Sequence, residues 1–267
     1  MALVAIFGGG VMGEALLSGL LRSGRSPEGI VVTERRPERA AVLTAKYGVS
    51  IVDNVEAAKI ADELVVVVKP QDMGVLLDEI ATHVRSDAVM ISLAAGITTA
   101  YLESRLPAGT AVVRVMPNTP ALVDQGISAI SAGAHCDDEH LALAESMLRS
   151  VGQVVRVPEK QQDAVTAISG SGPAYIFYVV EAMIDAGVLL GLPRPTAKEL
   201  VVQTLVGAGA MLRETGEHPT VLRENVTSPA GTTAAAIRAL DDHKVRAAFL
   251  SAMEAARDRS QELASST

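Results

Sequence analysis

A glycine-rich turn between an apolar run and a helical segment constrains this chain more than any other feature. Residues 3–7 (LVAIF) are wholly apolar, which is typical of a strand that is buried on both faces. Gly8, Gly10 and Gly13 follow at once in the spacing G-x-G-x-x-G, and the next residues have helical apolar spacing. This order of strand, turn and helix predicts a dinucleotide-binding fold, with a plain structural turn as the alternative.

Each glycine of the motif has its own physical purpose. Gly8 makes the tight turn, Gly10 lets the backbone approach a pyrophosphate, and Gly13 lets helix and strand pack closely. The pyrophosphate would then lie on free backbone N–H groups at the positive end of the helix.

Composition narrows the classes of function. Hydrophobic residues make up 49% of the 267 residues, so we expect a compact folded protein. The formal net charge of −8 argues against nucleic acid or an anionic membrane as the main partner. Because Cys136 is the only cysteine, no intrachain disulfide can form, and we expect a cytoplasmic protein. We find no apolar stretch long enough to span a bilayer, and the glycines interrupt the N-terminal run as they would not in a signal peptide.

The residues that end the second predicted strand, 30–33, bear on the choice of cofactor. An acid here normally binds the ribose 2′-OH of NAD, whereas an arginine accommodates the 2′-phosphate of NADP. The sequence offers both, as Glu34, Arg35 and Arg36, with Arg39 a turn further on. A planar guanidinium matches a phosphate well, so we favour NADPH, with NADH possible because of Glu34. A solvated loop is the other interpretation of these arginines.

Strand and helix patterns alternate as far as residue 157. This alternation predicts an α/β fold: an N-terminal Rossmann-type doubly wound parallel sheet, in a domain of residues 1–157. Lys69 follows a run of aliphatic residues, at a strand end where ligands of such sheets bind. A surface lysine is its alternative interpretation. Asn54 is a candidate cap for the helix that follows it.

Residues 135–140 (HCDDEH) contain several possible metal ligands, but their spacing disfavours a metal site. His135 and His140 are five residues apart and point to different faces of a helix. We therefore predict no metal site and interpret Asp137 or Asp138 as the N-cap of a helix over 139–150.

Beyond Pro158 the strand patterns stop, which predicts an all-helical domain over residues 158–267. We expect breaks between its helices at residues 169–173 and 191–193. The helices are rich in alanine and carry more apolar surface than about 110 residues would bury alone. A homodimer or a larger closed assembly through this domain is therefore predicted.

Residues 228–233 (SPAGTT) are the second chemical signal. Ser228 suits an N-cap and Pro229 the first helical position, so we expect a helix to start here. The unpaired N–H groups after Pro229, together with two threonine hydroxyls, would form a pocket for a substrate carboxylate. A capped helix without a ligand is equally consistent with these residues.

The chain resembles the pyrroline-5-carboxylate reductase family, which catalyses the last step of proline biosynthesis. The resemblance runs nearly end to end and rests on six motifs in order: Gly8-x-Gly10-x-x-Gly13, Val68-Lys69-Pro70, Ala94-Ala95-Gly96, Arg114-Val115-Met116-Pro117-Asn118-Thr119-Pro120, Ser169-Gly170-Ser171-Gly172-Pro173-Ala174-Tyr175 and Val226-Thr227-Ser228-Pro229-Ala230-Gly231-Thr232-Thr233. Ala230 stands where many members of the family have glycine.

The resemblance implies a reaction and a set of site residues. The reaction is reduction of 1-pyrroline-5-carboxylate to L-proline by hydride transfer from NADPH or NADH to the imine carbon. The substrate would contact Glu159, Gly231, Thr232 and Thr233. The Thr233 hydroxyl would hydrogen-bond the imine nitrogen, and Ser228 would cap the helix. Cofactor contacts are implied for Gly8, Gly9, Gly10, Val11, Met12, Gly13, Glu34, Arg35, Arg36, Asn54, Val68, Lys69, Ala95 and the partner subunit's Asn225. Family members form dimers that often assemble further into decamers.

Two other classes of protein share part of this pattern. A β-hydroxyacid dehydrogenase carries a catalytic lysine four residues after a G-x-G of its second domain, and Ile176 stands at that distance here. A non-catalytic dinucleotide sensor would keep the first domain and lose the substrate loop at 228–233.

Overall fold

A computed structural model describes residues 2–265 of the chain. Within this range eight strands form one sheet: β1 (Val4–Phe7), β2 (Ile30–Thr33), β3 (Ser50–Ile51), β4 (Glu63–Val66), β5 (Val89–Ser92), β6 (Ala111–Met116), β7 (Gly126–Ala132) and β8 (Gly152–Arg156). The helices of the same range are α1 (Val11–Arg22), α2 (Pro37–Tyr47), α3 (Asn54–Ile60), α4 (Met73–Ile80), α5 (Thr99–Arg105), α6 (Asp138–Leu148), α7 (Gln162–Val165), α8 (Gly172–Leu189), α9 (Arg194–Thr215), α10 (Pro219–Asn225), α11 (Thr232–Asp242) and α12 (Val245–Ser265).

The predicted α/β fold with a helical second part is confirmed, with one correction to the sheet. Its strand order is β3-β2-β1-β4-β5-β6-β7-β8, and the pairs from β3 to β6 are parallel. The expectation of a wholly parallel sheet is wrong at β7, which runs antiparallel to β6. The connection between them, residues 117–125, is too short for the crossover that a parallel pair needs.

Strand β1 shows why the sheet organises the core. All four of its residues are buried, and successive side chains of a strand point to opposite faces. Val4 and Ile6 therefore pack into a cluster with α1, whereas Ala5 and Phe7 pack into a second cluster with α3 and α4. Helices thus cover both faces of the sheet, as its unbroken apolar strands predict.

The chain divides into two compact units. One comprises Met1–Pro173 with Ala256–Thr267, and the other is Ala174–Ala255. The first unit contains the sheet and the last turns of α12, and the second contains only helices. The domain boundary predicted between residues 157 and 158 differs from this division, and it stays a prediction.

The helical break expected at residues 169–173 is wrong. The chain stays helical there by widening into one π-helical turn, Thr166–Gly170, in which Ser171 N–H donates to the Thr166 carbonyl at 2.8 Å. The stretch Glu159–Leu189 therefore has the length and composition of a membrane-crossing helix, contrary to our expectation of none. Several large apolar side chains of α8 are exposed in the single chain.

Candidate dinucleotide site and substrate loop

The glycine-rich turn has the geometry of a cradle for a dinucleotide. Gly8 has a φ of +112°, and a Cβ there would lie 3.1 Å from the Val67 carbonyl oxygen. A Cβ on Gly13 would collide with the Gly8 carbonyl oxygen. A Cβ on Gly10 would meet no neighbouring atom within 4 Å. Two glycines are thus needed for packing, while Gly10 faces open space, as the approach of a pyrophosphate requires.

Helix α1 begins directly at this cradle. Gly10 is its N-cap, and no side chain among the described residues caps the helix there. The first-turn N–H groups of a helix have no partners within the helix and carry its positive dipole end. Val11 is exposed at this end, whereas Gly9 is buried and Met12 packs against the core. The residues present therefore fit a bound pyrophosphate at the Gly10 side of the turn.

Half of the predicted cofactor residues meet in one cleft of about 590 Å³ at the carboxyl ends of β1, β2 and β4. The predicted residues that line it are Gly8, Glu34, Arg35, Arg36, Asn54, Val68 and Lys69. Gly10 and Val11 line a neighbouring cleft of about 560 Å³, which Arg36 also borders. Residues at the carboxyl ends of parallel strands bind ligands in folds of this kind.

Glu34 and Arg36, which pointed to different cofactors, bind each other. The Glu34 carboxylate accepts from Arg36 Nε at 3.0 Å, from Nη2 at 3.1 Å and from the backbone N–H at 3.0 Å. These bonds lower the pKa of Glu34. The Glu34 side chain is 7% exposed and that of Arg36 is 66% exposed. The acid is therefore engaged within its own loop, while the arginine remains accessible in the cleft.

Arg39 lies in a different place from the one its sequence position suggested. Its Nε donates to the Gly9 carbonyl oxygen at 2.8 Å, and its Nη2 pairs with Glu14. Glu14 also accepts from Lys46 Nζ at 2.9 Å and from the Tyr47 hydroxyl at 2.8 Å. Hydrogen bonds from Lys46, Arg39 and Tyr47 lower the pKa of Glu14 to about 2.

Sequence reasoning missed this cluster, although a signal was present. Residues 39, 43, 46 and 47 share one face of α2, as the i+3 and i+4 spacing requires. Leu43, on the same face, is fully buried and would contact any Cβ placed on Gly9. That face of α2 therefore packs on the glycine-rich turn.

Asn54 and Lys69 lie at the cleft in roles that partly differ from the prediction. The cap of α3 is Asp53, whose carboxylate accepts from the Glu56 N–H at 2.7 Å, so the assignment of Asn54 as cap is wrong. Asn54 is the first helical residue and donates to Glu79 at 2.8 Å. Lys69 is exposed beyond the end of β4. By contrast, the predicted cap of α6, Asp137 or Asp138, is confirmed and is Asp137, whose carboxylate accepts from the N–H groups of Glu139 and His140.

Ala95 lies in a third cleft of the first unit, of about 920 Å³, formed between the loop after β5 and the end of the chain. Ala256, Arg259, Ser260 and Leu263 of α12 line it on one side. Ser260 donates to Asp163 at 2.7 Å, which anchors α12 to α7. The carboxyl-terminal helix is thus one wall of the cleft that holds Ala95.

Glu159 is fixed by two elements of the first unit. Its carboxylate accepts from the Thr99 N–H at 2.7 Å, from the Thr99 hydroxyl at 2.6 Å and from Arg114 Nη1 at 3.2 Å. Burial raises the pKa of Glu159, but the bonds from Thr99 and Arg114 outweigh it and hold that pKa below its usual value. The carboxylate is therefore charged and ties α5 to β6.

The predicted substrate loop is ordered differently from our expectation. Helix α11 begins at Thr232 with Gly231 as N-cap, so the expected start at Ser228 and Pro229 is wrong, and Ser228 caps nothing. Residues 228–231 instead form a turn closed by the Gly231 N–H and the Ser228 carbonyl at 3.0 Å. Ala230 makes this turn with a φ of +56°, which delays the helix. Because no described side chain caps α11, its first N–H groups are open to an anion.

These features define a class: a two-unit oxidoreductase that binds a nicotinamide dinucleotide on a Rossmann-type sheet. Residues 3–96 match the family described as NADP oxidoreductase coenzyme F420-dependent. Residues 159–263 match the family described as pyrroline-5-carboxylate reductase dimerisation. The chain belongs to the pyrroline-5-carboxylate reductase family.

Individual relatives agree with this assignment over nearly the whole chain. The pyrroline-5-carboxylate reductase of Corynebacterium melassecola is 48% identical, covering 98% of this chain and 99% of its own. The solved structure of the Coxiella burnetii enzyme is similar with a TM-score of 0.93 at 38% identity, covering 98% of both chains. The Plasmodium falciparum pyrroline carboxylate reductase, solved with NADP bound, has a TM-score of 0.88 at 29% identity over 98% of both chains.

Proposed function

We propose that this chain reduces 1-pyrroline-5-carboxylate to L-proline with NADPH. A hydride adds to the imine carbon, a proton adds to the imine nitrogen, and NADP⁺ leaves. The observation that carries this proposal is the match to a pyrroline-5-carboxylate reductase at 48% identity over 98% of the chain. The glycine cradle of α1 and the uncapped start of α11 supply the two binding elements that the reaction needs.

The cofactor end of the proposal lies in the first unit. When bound, NADPH supplies the hydride from its nicotinamide ring. We assign its binding to Gly8, Gly9, Gly10, Val11, Met12, Gly13, Glu34, Arg35, Arg36, Asn54, Val68, Lys69, Ala95 and the partner subunit's Asn225. The exposed guanidinium of Arg36 supports NADPH over NADH, because a guanidinium matches a 2′-phosphate.

The substrate end of the proposal lies at α11. The N–H groups that follow Gly231 would hold the substrate carboxylate, with Thr232 and Thr233 as hydroxyl partners. A substrate contact for Glu159 is proposed on the resemblance to the family. Protonation makes the imine carbon accept a hydride, and the Thr233 hydroxyl oxygen would accept a hydrogen bond from the protonated nitrogen. Ser228 holds the turn before the helix rather than capping it. Positioning by these groups supplies most of the rate.

Thr233→Ala tests the substrate end. We expect turnover to fall by roughly ten- to a thousandfold, the scale of losing one positioned donor or acceptor at a reacting atom. Thr215→Ala is the matched control, since that hydroxyl donates to the Met211 carbonyl and accepts from the Glu217 N–H, both at the end of α9. Unchanged steady-state kinetics in Thr233→Ala would remove Thr233 from the mechanism.

An absorbance assay tests the activity itself. NADPH is mixed with 1-pyrroline-5-carboxylate, and its consumption is followed at about 340 nm, where only the reduced nicotinamide absorbs. A second reaction contains NADP⁺ with a 3-hydroxy acid, the substrate class of the rival dehydrogenases. Consumption of NADPH in the first reaction alone supports the proposal, and reduction of NADP⁺ in the second contradicts it.

We further propose that residues 158–267 form a dimerisation domain through which the chain forms a homodimer or a larger assembly, up to a decamer, in the cytoplasm. Support comes from the dimerisation family that matches 159–263. Large apolar side chains of the second unit are also exposed in the single chain, such as Phe177 at 65% and Leu189 at 87%. A monomer mass in light scattering at micromolar concentration would contradict this assembly.

A further inference from the structure

We propose that Arg39 is a positioning residue for the pyrophosphate of the cofactor: by holding the Gly9 carbonyl, it fixes the direction in which the Gly10 N–H points. This inference rests on the proposed binding of a nicotinamide dinucleotide. The contact that carries this role is the bond from Arg39 Nε to the Gly9 carbonyl oxygen. Arg39 acts through the backbone of the glycine-rich turn.

The contacts of Arg39 tie it to the backbone of the turn. It lies in the first turn of α2, and its Nε donates to the Gly9 carbonyl oxygen at 2.8 Å. Its Nη2 pairs with Glu14, which belongs to the first turns of α1. The Arg39 side chain is 23% exposed. The Arg39 guanidinium therefore joins the backbone of the glycine-rich turn to α1, the helix that begins at this turn.

The planarity of the peptide bond carries this contact to the other side of the turn. In a trans peptide the C=O of one residue and the N–H of the next point in opposite directions. The Gly9 carbonyl points to Arg39, so the Gly10 N–H points away from it. Neither residue has a Cβ to restrict its backbone, so an external contact is needed to hold this peptide in one orientation.

The open space beside Gly10 indicates what this N–H faces. A Cβ on Gly10 would meet no atom within 4 Å, and Gly10 lines a cleft together with Val11 that Glu14, Arg39 and Lys46 also border. Oriented backbone N–H groups at the start of a helix are the standard binding groups for a pyrophosphate. A freely rotating peptide would present its carbonyl oxygen to the anion part of the time, which repels it.

The surroundings of Glu14 show why an arginine is needed. A carboxylate near an anion site opposes binding of the anion, but here Lys46 and Arg39 neutralise it. A guanidinium donates along two directions at once, whereas an ammonium is a single point of charge. Lysine at position 39 could therefore keep the charge but not both bonds.

The same contacts separate Arg39 from a role in cofactor choice. The two nitrogens that face the turn are directed at Gly9 and Glu14, while the more exposed guanidinium at the end of β2 is that of Arg36. A pyrophosphate is common to NADPH and NADH. Loss of Arg39 should thus weaken both cofactors equally.

Direct binding titrations test the proposal without the imine substrate. NADPH, NADH and adenosine 2′-monophosphate, which lacks the pyrophosphate, are titrated into wild type, Arg39→Met and Arg39→Lys. We expect Kd for NADPH and NADH to rise by the same factor of about tenfold or more in both variants, the scale of a hydrogen bond to a charged group. Binding of adenosine 2′-monophosphate should stay unchanged, and in the reductase assay KM for NADPH should rise while kcat is kept. The matched control is Arg85→Met, an arginine that pairs with Asp62 and Asp87 at the surface.

Two results would overturn the proposal. A loss confined to NADPH and adenosine 2′-monophosphate would mean that Arg39 binds the 2′-phosphate, and unchanged Kd values would mean that the turn needs no support. Thermal unfolding of each variant identifies a misfolded one, in which case Arg39→Lys, which keeps the charge, decides the outcome. A wild type that binds NADPH without reducing the imine would refute the proposed function alone.

Discussion

Two glycine-to-alanine changes in the same turn should have opposite effects, and this contrast tests the cradle. Gly10→Ala adds a methyl group where no neighbouring atom lies within 4 Å, at a φ of −69° that alanine adopts freely. Gly13→Ala adds one that collides with the Gly8 carbonyl oxygen. Gly10→Ala should therefore weaken binding of the ligand, and Gly13→Ala should destabilise the fold.

The expected magnitudes follow from these surroundings. Gly10→Ala should leave the stability of the fold nearly unchanged, because the gain of about 0.4–1 kcal/mol from restricting the unfolded chain is offset by the poorer N-capping of alanine. Its methyl group would displace the pyrophosphate from the N–H groups of the turn. Losing one hydrogen bond to a charged group costs about 1.5–3 kcal/mol, which raises Kd for NADPH roughly 10- to 150-fold. Gly13→Ala should cost about 1–3 kcal/mol or more of stability, the range found for overpacking.

Thermal unfolding and NADPH titration of both variants measure these effects. Gly13→Ala should lower Tm by several degrees, at roughly 2–4 °C per kcal/mol for a domain of this size. Gly10→Ala should leave Tm nearly unchanged and bind NADPH poorly. The reasoning is refuted if Gly10→Ala binds NADPH as wild type does, because the open space beside Gly10 would then not be the cofactor's place.

Three further changes probe other parts of the structure. Ala230→Gly should raise Tm by about 1–3 °C. Removing the strain of a left-handed alanine gains about 1–2 kcal/mol of stability, and the greater freedom of glycine in the unfolded chain cancels about half of that gain. An unchanged or lower Tm contradicts this expectation. Glu159→Gln should cost about 2 kcal/mol in denaturant unfolding, because the buried Arg114 loses its counter-charge. Folding depresses the pKa of Glu14 from 4.5 to about 2, so its stabilisation is complete above pH 5 and is lost as pH falls towards 2. The stability difference between wild type and Glu14→Gln should therefore shrink over that range.

The elements with strong sequence patterns were predictable. The strand predicted at 30–33 appears with those bounds. Apolar runs and Gly or Pro boundaries are local signals, so the residues themselves carry them. The glycine spacing likewise predicted a turn whose Gly8 and Gly13 contacts leave no room for a side chain.

The errors share a different physical origin. Ser228 and Asn54 are good caps by residue type, but the backbone of the turn at Ala230 and the neighbouring Asp53 decided where each helix starts. Residues 169–173 look like a break, yet a helix can absorb such a sequence by widening into a π turn. The direction of β7 depends on a partner strand, which no local pattern reports. The helical spacing around Arg39 indicates a shared face of α2 but not that Gly9 and Glu14 are its partners.

The carboxyl-terminal helix returns to the sheet-bearing unit, and this has a practical consequence for anyone preparing the protein. A Cβ placed on Gly96, in the loop after β5, would lie 3.8 Å from the backbone nitrogen of Ala264. Residues near the end of a chain are the ones most often trimmed or fused to a purification tag. Shortening this chain by two helical turns would open the cleft around Ala95 on one side, so a preparation altered there should not be used to measure the native affinity for the cofactor.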